Sequence, residues 1–137
     1  ELRKIYKDRL LSIRLPALIE KNLKKNIIYD LINENEIEKI NQNSSFQWFN
    51  LNYIHNIIKL GIQKNIQSLN LATEPINTSD IVKIFFPEYQ KLLKMEKDGN
   101  SVKYDMWSKH TNNKTKYFYS REVVLRDHLK KFISDYI

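Results

Sequence analysis

The stretch Gln67–Phe86, QSLNLATEPINTSDIVKIFF, constrains the fold most, because a strand pattern, a chain break and a helix start lie within it. Leu69 and Leu71 alternate with polar neighbours, as in a strand with one buried face. Pro75 has no N–H to donate to a ladder, so the strand must end before it. Residues 77–79 (NTS) all carry side-chain oxygens that accept from the free N–H groups of a helix start. The stretch therefore predicts a strand, a tight turn and a capped helix.

Length and composition are those of one folded domain. The chain has 137 residues, of which 42% are hydrophobic and 28% charged, and it contains no cysteine. Its only glycines, Gly61 and Gly99, are far apart, which excludes both a P-loop and a dinucleotide-binding GxGxxG loop. No apolar run approaches the roughly 20 residues of a membrane span, and no secretory signal is present at residues 1–15, so a cytoplasmic protein is predicted.

The net charge of +7 favours anionic partners. Nucleic acid, an acidic membrane surface and the phosphates of a small ligand all satisfy that condition, and the scattered lysines also fit a solvated surface.

Short strands and helices alternate along most of the chain, which predicts an α/β fold with some parallel pairing. Leu10–Leu15 (LLSIRL) predicts a buried strand, in which Arg14 would be buried and paired with a carboxylate or carbonyls. Asn26 predicts the start of a short helix over residues 27–34, and Asn50 the start of another that contains Ile54 and Ile62.

The remaining segments give weaker patterns. Residues 36–49 predict a hairpin or two strand pieces, and Asp98-Gly99 a turn before the alternating segment 101–106. Ser120 begins a final helix with a clear apolar stripe, and His128 falls on its polar face.

Motifs for metal or nucleophilic chemistry are absent from the sequence. His55, His110 and His128 lack HExxH spacing, and no serine lies in a GxSxG elbow. Aromatic residues do interleave with lysines, and three interpretations stay open: core and rim packing, stacking of single-stranded nucleic acid, or a nucleotide base held in a cleft. The aromatic residues are Phe46, Trp48, Phe49, Tyr104, Trp107, Tyr117, Phe118 and Tyr119.

Four segments resemble the extended short-chain dehydrogenases/reductases, the NAD-dependent nucleotide-sugar epimerases and dehydratases. LLSIRLPALI (Leu10–Ile19) is similar to the strand and turn after the catalytic helix of that family. SFQWFNLNYIHNII (Ser45–Ile58) is similar to the substrate-contacting strand and the helix after it, and SLNLATEPINTSDIVKIF (Ser68–Phe85) to the late strand, turn and helix. YDMWSK (Tyr104–Lys109) resembles an acidic and lysine signature before the last helix.

The resemblance implies the C-terminal part of a Rossmann-type enzyme, with residues 1–137 forming a small substrate-binding lobe, either as one domain or as a fragment. The Gly-rich loop is missing, and no tyrosine has a lysine four positions later, so the chain alone is expected not to catalyse hydride transfer. The intact protein would use NAD or NADP, which this chain alone is not expected to bind tightly. A nucleotide sugar is the implied substrate and a homo-oligomer is left open.

The same resemblance implies where the ligands lie. Phe46, Gln47, Trp48 and Lys109 are implied to bind the substrate, while Pro16, Ala17 and Leu18 lie near the cofactor. No catalytic residue and no metal ligand is assigned. The alternative hypothesis is a small basic α/β module that binds nucleic acid or a protein partner.

Overall fold

A computed structural model describes residues 1–93, 100–111 and 115–136, and shows a mixed α/β fold with small sheets. The strands are β1 Ser12–Arg14, β2 Ala17–Ile19, β3 Ser45–Phe46, β4 Trp48–Asn50, β5 Ser68–Asn70 and β6 Ile76–Asn77. The helices are α1 Leu2–Tyr6, α2 Ile27–Ile32, α3 Ile54–Gln63, α4 Thr78–Phe85, α5 Arg121–Val123, a π-helix Val124–Lys130 and α6 Lys131–Tyr136. Short 3₁₀ turns cover Lys7–Arg9, Ile37–Lys39, Leu51–Tyr53 and Pro87–Tyr89.

The strands pair in three two-stranded sheets. β1 and β5 are parallel, with Ile13 opposite Leu69, and β2 and β4 are parallel, with Leu18 opposite Phe49. β3 and β6 are antiparallel. The predicted α/β arrangement with parallel pairing is therefore confirmed at this level.

Two hydrophobic clusters lie on opposite faces of the β2–β4 pair. The larger cluster contains Trp48 together with buried residues of α2, α4 and the C-terminal helical segment. The smaller contains Phe49 with buried residues of α3 and β5. Because successive side chains of a strand point to opposite faces, β4 contributes one large aromatic ring to each cluster.

Helix starts follow the asparagine caps that the sequence predicts. Asn26 Oδ1 accepts from the backbone N–H of Tyr29 at 2.8 Å, and Asn77 Oδ1 accepts from that of Ser79 at 2.9 Å. Asn50 Oδ1 accepts from Asn52 N–H at 3.0 Å and begins the turn that leads into α3. Each cap satisfies an N–H that has no partner inside its own helix.

We expect Asn77→Ala to lower the free energy of unfolding by about 1 kcal/mol, because the first turn of α4 loses its acceptor. Asn77→Ser, which keeps a side-chain oxygen, should restore most of that loss. Urea denaturation of both variants beside the unchanged chain measures the difference. Equal stability of the alanine and serine variants would contradict the capping role.

The C-terminal helical segment contains a π-helix in its middle. Side chains of β4 and of the following turn donate to backbone carbonyls of this π-helix. Asn50 Nδ2 donates to His128 O at 3.4 Å, and Tyr53 Oη donates to Asp127 O at 3.3 Å. The apolar stripe is confirmed, with Leu129 and Ile133 buried.

Several sequence-based predictions are wrong. Of the hairpin or two strand pieces predicted for residues 36–49, the piece that begins at Ser45 is confirmed by β3 and β4. The other piece is wrong because Ile37–Lys39 is a 3₁₀ turn, and no hairpin forms because β3 and β4 pair with β6 and β2. The alternating segment 101–106 makes one bridge, between Lys103 and Ser45. The predicted turn at Asp98-Gly99 lies outside the described residues.

Arg14 and His128 also differ from expectation. Arg14 is exposed, because it shares with Ser12 the face of β1 opposite to Ile13, and that face meets solvent. His128 is 1% exposed. The π-helix changes the angular spacing of residues, so it turns His128 inward from the face that an α-helical period assigns to it.

None of the helices in the described part of the chain is both long enough and apolar enough to pass through a membrane.

Candidate functional site

A cleft of about 930 Å³ lies where the two parallel strand pairs meet. β1 and β5 end at it with Arg14 and Asn70, while β2 and β4 begin at it with Ala17 and Trp48. The cleft is lined by Arg14, Leu15, Pro16, Ala17, Lys25, Asn26, Ile27, Phe46, Gln47, Trp48, Asn70, Tyr104, Asp105, Met106 and Trp107. The carboxyl ends of parallel strands are where ligands bind in open α/β sheets.

One wall of the cleft is the segment 104–107, which has no regular secondary structure. Backbone and side-chain hydrogen bonds hold it at both ends. Tyr104 N–H donates to Ser45 O at 3.0 Å, and Asn70 Nδ2 donates to Trp107 O at 3.0 Å. The wall is therefore attached to β3 and β5, and its position depends on both strands.

Gln47 fixes the middle of the same wall. Its Nε2 donates to Thr73 O at 2.6 Å and to Met106 O at 2.7 Å, and its Oε1 accepts from Met106 N–H at 2.7 Å. An amide group has two N–H donors, and here the protein uses both of them. Gln47 lines the cleft as the clamp that holds the wall, and a ligand could reach only the second lone pair of Oε1.

Aromatic rings dominate the open part of the cleft. Tyr104 and Trp107 are more than half exposed, and the Tyr104 ring stacks on Phe46 with centroids 5.7 Å apart. Trp48 forms the buried floor and is 1% exposed. Flat faces of this kind accept a flat ring from a ligand.

Charges at the cleft are mainly positive. Arg14 and Lys25 supply cations, and both are exposed. Asp105 is the single acidic residue among the lining residues, and its carboxylate accepts a hydrogen bond from the Tyr117 hydroxyl. Burial, with help from that bond, raises the pKa of Tyr117 to about 12. By accepting this bond, Asp105 stabilises the conformation of its own segment, 104–107.

The residues that the sequence singled out lie at different places. Phe46, Gln47 and Trp48 come together with Pro16 and Ala17 in the cleft. Leu18 is not among its lining residues, because it points to the opposite face of the sheet and packs against the smaller hydrophobic cluster. Lys109 lies outside the cleft as well.

Lys109 lines two grooves beyond Trp107, of about 580 and 510 Å³, which share Ser68 and His110. Lys64 and Lys116 add further cations to these grooves. Lys116 Nζ lies 3.7 Å from the centroid of the Trp107 ring. The cation covers one face of the indole, and Trp107 and Asn70 line both the cleft and one of the basic grooves.

The described residues provide neither a metal site nor a dinucleotide site. Among them, no group of three or more His, Asp or Glu side chains is arranged to hold a metal ion. Gly61 is the only described glycine and lies within α3, where a Cβ would fall 2.6 Å from Leu11 Cδ2. It packs α3 against Leu11 and forms no phosphate loop, so the described residues do not fit an NAD(P) dinucleotide.

Comparisons with protein-family models, with curated proteins and with solved structures found no match to this chain.

Arg14, Lys25, Asn70, Tyr104 and Trp107 complete the cleft, and none of them is among the ligand-binding residues that the family resemblance implies. Two of them end parallel strands, and the rule that ligands bind at carboxyl strand ends could have found them if the pairing of β1 with β5 had been known. Tyr104 and Trp107 belong to the pattern of aromatic residues interleaved with lysines, and that pattern is the sequence signal by which they could have been found.

Proposed function

We propose that the chain is the nucleotide-sugar-binding part of an NAD(P)-dependent epimerase, dehydratase or reductase of the extended short-chain type, with the cleft as its substrate site. The observation that carries the proposal is the convergence of Pro16–Ala17, Phe46–Trp48 and Tyr104–Trp107 on one cleft. These segments are distant in sequence, and each belongs to a stretch that resembles the same family.

The chemistry of the cleft matches the parts of a nucleotide sugar. A base is flat and stacks on aromatic rings such as Phe46 and Tyr104, whereas a diphosphate needs cations such as Arg14 and Lys25. The cleft volume of about 930 Å³ lies within the range of small-molecule sites. Catalysis would need a Gly-rich loop and a Tyr-x-x-x-Lys pair from sequence outside these residues.

We expect UDP, dTDP or GDP sugars to bind the chain in calorimetric titrations, and Arg14→Ala and Lys25→Ala each to weaken binding about tenfold, because a charge-assisted contact to phosphate is lost. Lys83→Ala is the matched control, since Lys83 is exposed on α4 and is not a lining residue of the cleft. Absence of binding by all three classes of sugar, or equal affinity of the Arg14 and Lys83 variants, would contradict the proposal.

Nucleic acid is the second candidate partner, and the basic grooves favour it. Lys109 and Lys116 line one groove together with the exposed Trp107, and Lys64 lines the adjoining groove. Cations beside an exposed aromatic ring are how single-stranded nucleic acid is held. Salt dependence separates the two candidates. Oligonucleotide affinity falls steeply with salt when several phosphates are contacted, whereas a single diphosphate gives a shallow slope. Tight, steeply salt-dependent oligonucleotide binding without nucleotide-sugar binding would favour the second candidate.

A further inference from the structure

The cleft has a direction, because its wall, segment 104–107, runs from β3 at one end to β5 at the other. Tyr104 N–H donates to a carbonyl of β3, and Asn70 Nδ2 of β5 donates to Trp107 O, both at 3.0 Å. Arg14 lies opposite Asn70 in the register of β1 with β5. The cation of Arg14 therefore belongs to the same end of the cleft as Trp107, and Tyr104 belongs to the other end.

A nucleotide sugar bound along this direction has its three parts in a fixed order. The base stacks at the end where the Tyr104 ring lies on Phe46, and the diphosphate lies near Arg14. Because the sugar is attached beyond the diphosphate, it continues past Asn70 and Trp107. These two residues line both the cleft and the basic groove of about 510 Å³, so the sugar reaches that groove.

The groove of about 510 Å³ combines hydroxyl groups with cations. Ser68 and Thr115 bring hydroxyls, and Lys109 and Lys116, both exposed, bring ammonium groups. None of the described residues that line the groove is Asp or Glu. In residues 1–93, 100–111 and 115–136, neither ammonium forms an ion pair with a carboxylate. The groove therefore favours a ligand group that is itself an anion.

We propose that this groove is the subsite for the sugar of a bound nucleotide sugar, and that the sugar carries a carboxylate which Lys109 and Lys116 bind. This inference rests on the proposed function, since it assumes that the cleft binds the nucleotide. It names the substrate class as nucleotide-linked acidic sugars. A neutral sugar offers the two lysines no charge, so it gains only hydrogen bonds in the groove.

Three matched pairs of ligands test the subsite: UDP-glucuronate with UDP-glucose, dTDP-glucuronate with dTDP-glucose, and GDP-mannuronate with GDP-mannose. Within each pair, a carboxylate replaces a hydroxymethyl group and nothing else changes. For the nucleotide that the cleft accepts, we expect the acidic member to bind about tenfold more tightly in calorimetric titrations at low salt, because two exposed ion pairs add a few-fold each. Added salt should reduce that preference, since exposed charges are screened.

Substitutions of the two lysines test their role directly. Lys109→Gln and Lys116→Gln should each weaken binding of the acidic sugar about threefold and leave the neutral sugar unchanged. The double variant should bind both members of a pair equally. Lys83→Gln is the matched control, because Lys83 is exposed on α4 and does not line the groove, and it should keep the full preference.

The outcomes separate this inference from the proposed function. If the acidic member of each bound pair has an affinity equal to or lower than that of the neutral member, the acidic-sugar subsite is overturned while nucleotide-sugar binding stands. A preference that survives in the double variant also overturns the role of the two lysines. If no member of any pair binds, both proposals fail.

Discussion

Replacing Gln47 with leucine is expected to lower the free energy of unfolding by about 3 kcal/mol, because three backbone groups lose their partner at a net value of about 1 kcal/mol each. The three groups are the carbonyls of Thr73 and Met106 and the N–H of Met106. The clamp also holds the wall of the cleft, so hydrogen exchange of the Met106 amide should become faster. Urea denaturation and exchange measurements provide the two readouts.

Gln63→Leu is the matched control for this prediction. Gln63 is exposed near the end of α3, and a leucine there should change stability by less than about 0.5 kcal/mol. A Gln47 variant as stable as the control, with unchanged Met106 exchange, would show that the clamp contributes nothing.

Acidification is expected to destabilise the protein through His128. The imidazole is buried against the rings of Phe49, Tyr53 and Tyr119, and its Nδ1 accepts from Asn50 N–H at 2.9 Å. Burial lowers the pKa of His128 from 6.5 to about 4, although the nearby Asp127 carboxylate opposes the shift. The protein therefore keeps this imidazole neutral at a pH where the unfolded chain would protonate it.

The sign of the effect follows from proton binding. Between pH 6.5 and about 4 the unfolded chain binds a proton at His128 that the folded chain does not. The contribution of neutral His128 to the free energy of unfolding is fully present above pH 6.5. It is lost as the pH falls toward 4, by about 3 kcal/mol in all. Urea denaturation at a series of pH values measures the loss.

His128→Gln and His55→Gln isolate that contribution, because other groups also titrate with acid. His55 is exposed on α3, so His55→Gln should keep the full pH dependence. His128→Gln should be less stable at pH 7 but should lose about 3 kcal/mol less than the unchanged chain between pH 7 and pH 4. Parallel pH profiles for both variants would contradict the assignment.

Local features of this fold were predictable from the sequence, and strand pairing was not. The caps at Asn26, Asn50 and Asn77 act within three residues of themselves, so their chemistry is visible in a short stretch. The strands have only two or three residues each, which is too short for alternation to identify a buried face or a partner. The hairpin prediction for residues 36–49 was wrong because the sequence of such short strands does not show which strand each one pairs with.

The errors at Arg14 and His128 have different physical origins. Arg14 lies on the solvent-facing side of β1, and a strand of three residues is too short for its sequence to show which face is buried. The orientation of His128 depends on a π-helix, which shifts side chains relative to a 3.6-residue period.

The candidate site was partly predictable for the same reasons. Pro16, Ala17, Phe46, Gln47 and Trp48 lie together in the cleft, but Lys109 and Leu18 lie elsewhere. The clamp made by Gln47 depends on a long-range contact with Met106, which no local pattern predicts. Whether the five residues in the cleft bind a ligand stays a prediction.

Chemical-shift mapping with a UDP sugar tests the central claim most directly. On titration, we predict that the largest backbone shifts will occur at residues lining the cleft, such as Ala17, Phe46, Asn70 and Trp107. Shifts centred on the basic grooves around Lys109 and Lys116, or no shifts with saturating UDP, dTDP and GDP sugars in turn, would contradict the claim that this cleft is a nucleotide-sugar site.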